Sequence, residues 1–435
     1  MSTKIQSESE AAHLFREHHG ELIRYVPEKG EFIVKRESLW AFDPKGQRVE
    51  ALVREFLDQQ VTADARWKGS LSTVRNVRGL VELDPQLHVS IRQIDARELL
   101  VGTPSGAFSI EKKKVIRPKP GTYVTQSTSV SADFDDECSR WKKFLKQVFE
   151  GDAEVIEFVQ RWCGYLLTGS VKEQALLLLH GPGGNGKSVL INTVATIMGT
   201  YHKEAASETF VESRTTKHET AMAHIAGARF VTSGETDQDG GWNEATMKRA
   251  VSGDWVTARF LYRNPFSYRP TYKIWVGTNH LPRLKSVGHA MRRRLHILRL
   301  NFVPKRPDPD LEQKLIEEHA AILAWMIDGA RLWLDHGLEP PASVQSATDE
   351  YFDEEDTLGM WLRLKTKTVE GYATPTGTLA DSYNRFLRSR NMPEVHPSVF
   401  GRMLSGKGYK AKLKKPVGAR ERTRCFLGIR LKSNT

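Results

Sequence analysis

Apolar residues recur at helical spacing over several long stretches of the chain. Between residues 137 and 167 they return every three or four positions, with one interruption at Gly151-Asp152, which predicts two successive helices. Residues 308–337 show the same periodicity and predict one or two more helices. The first hundred residues combine two helical stretches with a predicted strand pair at 30–43. We therefore expect a mixed, mostly helical N-terminal domain.

Strand-like and helix-like segments alternate between residues 171 and 303, a pattern typical of an α/β fold with a parallel sheet. The apolar run at 175–179 predicts a buried strand, and the segment after it is helical up to Gly199. Residues 103–135 are rich in Pro, Ser, Thr and Lys and predict a loop-rich connector. At the C-terminus, two predicted helices precede two basic strands, YKAKLKK and TRCFLGIRL, an order that suits a winged helix.

Composition and charge narrow the functional classes. The 435 residues carry a net charge of +11, and residues 401–435 hold eleven Lys or Arg against one acid, Glu421, which is +10 of that excess. Localised positive charge favours a polyanion such as nucleic acid. Three dispersed cysteines predict neither a disulfide framework nor a zinc module. The polar start and the lack of a long apolar run favour the cytoplasm, without membrane contact.

The segment GPGGNGKS at 181–188 matches the phosphate-binding loop G-x-x-x-x-G-K-[ST], with a strand before it and a helix after it. Lys187 is expected to reach the β- and γ-phosphates, and Ser188 to ligate Mg²⁺. ATP and Mg²⁺ are therefore the expected cofactors; GTP is disfavoured because no NKxD motif occurs. The predicted nucleotide-binding residues are Gly181, Pro182, Gly183, Gly184, Asn185, Gly186, Lys187, Ser188 and Val189.

Polar residues follow two other predicted strands. Glu235 comes after the strand that begins at Arg229, and Asn279 comes after the strand YKIWVGT. The carboxyl ends of parallel strands line the ligand crevice, so Glu235 is predicted to hold Mg²⁺ together with Ser188, with Asp237 as the alternative acid. Asn279 is a candidate for sensing the γ-phosphate or the attacking water. Arg292, Arg293 and Arg294 form a basic run whose order after these motifs makes it a candidate for an arginine supplied to a neighbouring subunit.

The ordered motifs resemble superfamily 3 helicases, and most closely the phage/plasmid primase–helicase family that includes the poxvirus primase–helicase. The matching segments are GPGGNGKS, RFVTSGET, KRAVSGDWVTARFLY with FSYRPTYK, GTN and AMRRRLHIL. RWCGYLLTG resembles the segment before the family's ATPase core. HHGELIRYVPEKGEFIV and LWAFD resemble its N-terminal region. The resemblance extends over nearly the whole chain.

The resemblance implies an AAA+-like core and a role for each matched residue. Lys187 and Ser188 would be the Walker A pair, Glu235 the Walker B acid and Asn279 sensor 1, with Arg293 as the arginine finger and Arg294 as the second choice. Thr236 stands where many members of the superfamily have a second acid, so the role of Asp237 stays open. The segment 248–273 would form a DNA-gripping hairpin. Its candidate contacts are Arg259, Tyr262, Arg263 and Lys273.

The resulting domain prediction has five parts. They are an N-terminal helicase-associated domain (1–102), the connector (103–135), the ATPase core with its preceding helices (136–305), a helical segment (306–345) and a basic winged-helix-like domain (346–435). The first hundred residues are too few for a primase, so a helicase without a primase domain is expected.

The functional hypothesis is an ATP-dependent DNA helicase that replicates a phage, plasmid or other mobile element in a bacterial cytoplasm. The resemblance implies a homohexameric ring on single-stranded and forked DNA, moving 3′ to 5′. Origin DNA, a primase and a polymerase are further candidate partners. Two alternatives remain: a P-loop ATPase that remodels protein or packages DNA, and an origin-binding initiator that uses Lys412, Lys414 and Lys415 of the tail.

Overall fold

The computed structural model describes residues 5–60, 70–210, 218–234, 241–260, 264–284, 289–414 and 422–432. The chain divides by packing into two units. The first, the sheet unit, contains Met1–Pro282 and Arg294–Val344. The second, the C-terminal unit, contains Arg283–Arg293 and Gln345–Thr435. None of the helices in these described ranges is long and apolar enough to cross a membrane.

The N-terminal part of the sheet unit packs helices against a three-stranded antiparallel meander. Its elements are α1 (Glu8–His19), β1 (Ile23–Val26), β2 (Glu31–Arg36), β3 (Leu39–Asp43), α2 (Gln47–Gln60) and α3 (Leu71–Glu82). Ser7 caps α1 by accepting a hydrogen bond from the Glu10 amide. Phe15, Phe56 and Val77 meet in a core shared by the three helices. The predicted strand pair is present, and β1 extends it by one strand.

The predicted connector is wrong over its first part. The strands β4 (Leu100–Thr103), β5 (Gly106–Ser109) and β6 (Lys114–Val115) form a second antiparallel sheet there. These strands are short and rich in small residues, so their sequence carries little apolar alternation. At Gly102 a small residue is required, because a Cβ there would lie 2.0 Å from the Gln126 carbonyl oxygen. From residue 116 to 138 the chain has no further helix or strand in a sheet.

Two long helices of the sheet unit pack closely against each other. The predicted helix pair is confirmed as α4 (Ser139–Val148) and α5 (Ala153–Leu167). The 308–337 region divides into α10 (Leu311–Ile316) and α11 (His319–His336). Helices α5 and α11 approach so closely that a Cβ on Gly164 would lie 1.9 Å from the Ala330 nitrogen, and one on Gly329 would lie 2.1 Å from the Gln160 carbonyl oxygen. Glycine at both positions lets the two backbones meet.

The central sheet is parallel and five-stranded, in the order β13-β7-β12-β9-β8, which confirms the α/β prediction. The residues of β7 from Leu176 to Leu179 are fully buried, as expected for a strand between two others. Its elements and those between them are β7 (Leu176–His180), α6 (Lys187–Met198), β8 (His202–Ala205), α7 (His218–Ile225), β9 (Phe230–Ser233), α8 (Glu244–Val251), the hairpin β10 (Val256–Ala258) and β11 (Phe266–Tyr268), β12 (Lys273–Thr278), α9 (His289–Arg292) and β13 (Leu295–Arg299). Of these, α9 belongs to the C-terminal unit.

The C-terminal unit contains most of α12 (Ala342–Glu355) and a small α/β domain. That domain runs helix, strand, helix, helix, strand, strand: α13 (Thr357–Lys365), β14 (Thr366–Pro375), α14 (Thr376–Arg388), α15 (Pro397–Gly406), β15 (Ala411–Lys414) and β16 (Thr423–Leu431). The antiparallel sheet has the order β14-β16-β15. Trp361, Tyr383 and Phe400 pack together in its core. The two helices and two basic strands match the prediction, whereas β14 was not predicted.

Candidate functional site

The loop between β7 and α6 has a backbone that requires glycine. Gly184 and Gly186 have φ values of 75° and 88°, in the left-handed region. A Cβ on Gly186 would also lie 3.0 Å from both Phe144 and Val148 of α4. The side-chain amide of Asn185 donates to the Leu300 carbonyl, 2.5 Å away, and ties the loop to the end of β13. The loop therefore has a fixed shape at the N-terminus of α6.

Lys187 is the first residue of α6, and its ammonium group is held inside the loop. The Nζ atom donates to the carbonyl oxygens of Gly181 at 2.6 Å and Pro182 at 2.9 Å, and to Asn185 Oδ1 at 3.1 Å. It also donates to Asn279 Oδ1 at 2.8 Å. Only 7% of the residue is exposed. Lys187 and Asn279, two predicted site residues that lie 92 positions apart in the sequence, are therefore joined by a hydrogen bond.

The sheet register explains why Asn279 reaches Lys187. β12 pairs in parallel with β7, and Thr278 lies opposite His180. The next residues, Asn279 and Gly181, therefore leave the sheet side by side at its carboxyl edge. β9 ends at the same edge, with Ser233 opposite Val276. Glu235 and Asp237, the predicted acids after β9, lie outside the described residues, while Ser188 is exposed in the first turn of α6.

His180 is a further residue of this site that the sequence did not indicate. Burial lowers the pKa of its imidazole, and Arg299 and Lys187 lower it further by charge repulsion, against a hydrogen bond to the Asn279 backbone that raises it. The neutral form of the ring is therefore favoured relative to an exposed histidine. No residue pattern predicts that His180 lies at this site, because its position next to Asn279 follows from the register of β7 against β12.

The three arginines of the predicted finger run have different environments. Arg292 forms ion pairs with Asp349 and Asp353 of α12. Arg293 is exposed. Arg294 is only 9% exposed; its guanidinium donates to Gln174 Oε1 at 3.2 Å, and its carbonyl accepts from the Leu176 amide. Arg294 is therefore wrong as the second choice of finger, since it is packed at the entrance to β13.

Lys273 is wrong as a DNA contact. It is 1% exposed at the start of β12, where its ammonium donates to the carbonyl oxygens of Thr168 and Thr271 and lies 4.9 Å from the Tyr165 ring centroid. Burial lowers its pKa well below the ordinary lysine value, with a further contribution from the charge of Arg229. This lysine connects the end of α5 to the start of β12.

One of the DNA contacts predicted for the hairpin β10–β11 lies among the described residues. Arg259 is exposed directly after β10, and Tyr262 and Arg263 lie outside the described residues. In the C-terminal unit, Lys412 and Lys414 are exposed on β15, whereas Lys415 lies outside the described residues.

Comparisons with known proteins agree with the motif reading. A family model described as D5 N terminal like matches residues 12–150, and a family of unknown function (DUF5906) matches 179–294. The putative helicase L207/L206 of Acanthamoeba polyphaga mimivirus is 25% identical over 310 residues, 65% of this chain and 32% of that protein. The putative primase C962R of African swine fever virus is 24% identical over 249 residues, 55% of this chain and 26% of that protein. The chain is therefore similar to viral proteins that are named as a helicase and a primase.

The fold of the chain is also found in a solved structure. The C-terminal region of NrS-1 (305–718) superposes with a TM-score of 0.56 at 10% identity, covering 96% of this chain and 99% of that one. At this identity the likeness concerns the fold alone. The chain spans about a third or less of the length of the curated relatives that it matches.

The family resemblance did not indicate the aromatic residues around the hairpin. Trp255 is 47% exposed, and the guanidinium groups of Arg92 and Arg269 lie 5.1 and 5.3 Å from its ring centroid. Phe260 is also exposed and stacks on Phe266 at 5.8 Å between ring centroids. Exposed aromatic and basic side chains at one hairpin are the groups that stack on bases and hold phosphates.

Proposed function

We propose that the chain is the ATP-hydrolysing motor of a DNA helicase that acts in replication of a phage, virus or other mobile element. The observation that carries the proposal is the 2.8 Å hydrogen bond from Lys187 Nζ to Asn279 Oδ1, formed at the carboxyl edge of the parallel sheet. A phosphate-binding lysine beside a polar residue from the neighbouring strand suits an enzyme that must recognise a γ-phosphate and respond to its loss.

The residues of the loop fit a nucleoside triphosphate with Mg²⁺. A phosphate oxygen would replace the carbonyl oxygens that now accept from the Lys187 ammonium, at the N-terminus of α6, where the helix dipole favours an anion. Ser188 and Glu235 are proposed to hold Mg²⁺, which would neutralise the charge that develops on the phosphates. Asn279 is proposed to orient the attacking water or the γ-phosphate.

The strand order supports an AAA+-like assignment. In the order β13-β7-β12-β9-β8, the strand that carries Asn279 lies between the strand before the loop and the strand before Glu235. Lysine, polar sensor and acid are thus expected within one crevice.

In such a core we propose that Arg293, which is exposed, completes the active site of a neighbouring subunit. A shared site of this kind requires head-to-tail contacts, and closure of those contacts gives a ring, here proposed to be a hexamer.

We propose single-stranded and forked DNA as the substrate. Arg259, Trp255 and Phe260 offer charge and stacking surfaces at the hairpin. The C-terminal domain, with its helix-strand-helix-helix-strand-strand order, is proposed to be a winged helix.

A second candidate function is origin recognition by the C-terminal domain, with or without unwinding. It is favoured by Lys412 and Lys414, which are exposed on β15. Lysines on an exposed strand contact phosphates without reading sequence, so steering of DNA would produce the same feature. A gel shift with origin and non-origin duplexes separates the two readings: origin recognition requires a preference for one sequence that survives added salt.

Purified protein tests the enzymatic proposal through ATP turnover with and without single-stranded DNA. Wild-type protein is expected to hydrolyse ATP, and Lys187→Ala to lose turnover, because no other side chain of the loop carries a positive charge to the phosphates. Arg293→Ala is expected to lose turnover while still binding nucleotide. A wild-type protein without ATPase activity contradicts the proposal. Because one relative is named a primase, primer synthesis is assayed in the same samples, and synthesis without unwinding would favour that activity instead.

A further inference from the structure

Helix α12 holds the segment that precedes β13, residues Arg283–Arg293, which we call the finger segment. Both the finger segment and the relevant part of α12 belong to the C-terminal unit. Near its first end, the Leu284 amide donates to Glu355 Oε2 at 2.7 Å. Near its C-terminal end, Arg292, the residue before Arg293, also contacts α12. Both described ends of the finger segment are therefore attached to α12.

The attachment of Arg292 to α12 uses three side chains on adjoining turns. One guanidinium nitrogen lies 2.9 Å from Asp349 Oδ1 and the other lies 3.0 Å from Asp353 Oδ1. The two acids are four residues apart and so lie on one face of the helix. The guanidinium also lies 5.3 Å from the centroid of the Phe352 ring. Two ion pairs and an aromatic contact fix the direction of a planar group that a single contact would leave free to rotate.

Arg293 follows directly after the residue that α12 holds. Arg292 before it is held by α12, and Arg294 after it is buried, with its carbonyl bound by the Leu176 amide. The side chain of Arg293 is itself exposed. An exposed guanidinium next to a residue that is held by two ion pairs can be directed relative to α12. Positional errors of about 1 Å in such groups cost roughly a hundredfold in rate.

We propose that Asp349 and Asp353 are positioning residues for Arg293, and that α12 thereby sets the alignment of the arginine that completes a neighbouring subunit's ATP site. This inference rests on the proposed function, in which Arg293 acts on a neighbour. The acids act through Arg292 and touch no nucleotide. Their effect is therefore expected on the turnover of the adjacent subunit and not on nucleotide binding by their own subunit.

Mixing experiments separate this effect from damage to the chain's own site. A donor protein with Lys187→Ala cannot hydrolyse ATP but supplies an intact arginine, while an acceptor with Arg293→Ala has an intact loop. An equal mixture is expected to recover turnover that neither protein has alone. The donor is then remade with Asp349→Asn and Asp353→Asn. Recovery is expected to fall roughly tenfold to a hundredfold, with nucleotide affinity of the acceptor unchanged.

The neighbouring residue provides the matched control. Glu354 is exposed on α12 next to Asp353. Glu354→Gln in the donor removes one negative charge, as Asp353→Asn does, but no contact to Arg292, and full recovery is expected. Asp353→Glu retains a carboxylate and is expected to restore most of the activity lost in Asp353→Asn. Because exposed ion pairs contribute little to folding, the donors' melting temperatures are expected to stay close together.

The possible failures are distinguishable. Full recovery with the Asp349→Asn, Asp353→Asn donor overturns the positioning inference and leaves the proposed function intact. Equal losses with Glu354→Gln and Asp353→Asn overturn it as well, because general charge on α12 would then be responsible. If the unmodified mixture recovers nothing, the shared active site itself is wrong. If the double variant melts early, Asp353→Asn and Glu354→Gln are compared alone, with the same expected difference.

Discussion

At the scale of single residues, the candidate site depends on two kinds of constraint: backbone shape in the loop and neighbourhood at the edge of the sheet. Gly186 precedes Lys187 and has a positive φ, which turns the chain from the loop into α6. The motif predicted this turn, because glycine spacing encodes backbone shape. It also predicted that the lysine and Asn279 are functional residues, but the 2.8 Å contact between them follows only from strand register.

Replacement of Gly186 tests the loop geometry. Gly186→Ala places a Cβ in left-handed backbone and 3.0 Å from Phe144 and Val148, so the free energy of unfolding is expected to fall by about 1–3 kcal/mol. Gly183→Ala is the matched control, because its Cβ would meet nothing within 4 Å. Urea unfolding of both variants measures the difference. Equal stability of the two variants would contradict the described loop conformation.

Burial is the residue property that the sequence could not supply. Lys273 and Arg294 lie in motifs that resemble DNA-gripping and finger segments, yet both side chains end inside the sheet unit. A basic residue at the start of a strand has the same local sequence whether its side chain turns outward or inward. Thr168 and Gln174, which accept from these two cations, come from segments more than a hundred positions earlier.

At the scale of elements, the predictions succeeded where periodicity was strong and failed where it was weak. α4 and α5 carry regular apolar faces and were predicted with the right interruption, and α10 and α11 were predicted as one or two helices. β14 was missed because TKTVEGYATP is polar, and its pairing with β16 is broken by an irregularity between Thr368 and Ala373. Strand pairing supplies the order in that element, and pairing with a partner more than fifty residues away leaves no local pattern.

The contact between β13 and α5 predicts an acid-sensitive element. His296 of β13 lies against the rings of Phe158 and Trp162 at 6.0 and 6.3 Å, and burial lowers its pKa to about 4. The unfolded chain binds this proton near pH 6.5. The stability contributed by the neutral ring is therefore fully present above pH 6.5 and is lost as the pH falls from there to about 4.

His296→Phe removes this proton uptake. Between pH 7 and pH 4.5, wild type is expected to lose on the order of 2 kcal/mol more of its free energy of unfolding than the variant does. Urea unfolding at each pH measures this difference. His336→Gln, at an exposed position of α11, is the control and is expected to show no such shift. A constant difference between wild type and His296→Phe across this range would contradict a neutral ring packed against Phe158 and Trp162.

The basic strand β15 predicts a salt-dependent contribution to DNA binding. Each lysine that neutralises a phosphate steepens the decline of log affinity with log salt concentration by about 0.9 on duplex DNA. Lys412→Ala with Lys414→Ala is therefore expected to weaken duplex binding and to reduce the slope by about 2, measured by titration at several salt concentrations. Lys142→Ala with Lys146→Ala, on exposed positions of α4, is the control of equal charge. If both pairs change the slope equally, β15 has no special role.

At the scale of the whole molecule, the five predicted regions differ from the two packing units of the structure. The parallel sheet and the basic C-terminal domain were both predicted. What could not be predicted is that Arg283–Arg293 packs with the C-terminal unit although it lies between two strands of the sheet. This assignment depends on contacts to α12, which lies more than fifty residues later in the sequence.

The most direct test of the central claim is unwinding of a forked DNA duplex by the purified chain with ATP and Mg²⁺. Wild-type protein is expected to separate the strands, and Lys187→Ala, with its loop lysine removed, is expected to leave them paired while still binding DNA. Strand separation by wild type that requires Lys187 supports a helicase motor. Hydrolysis of ATP by wild type without strand separation, or unwinding that persists in Lys187→Ala, contradicts it.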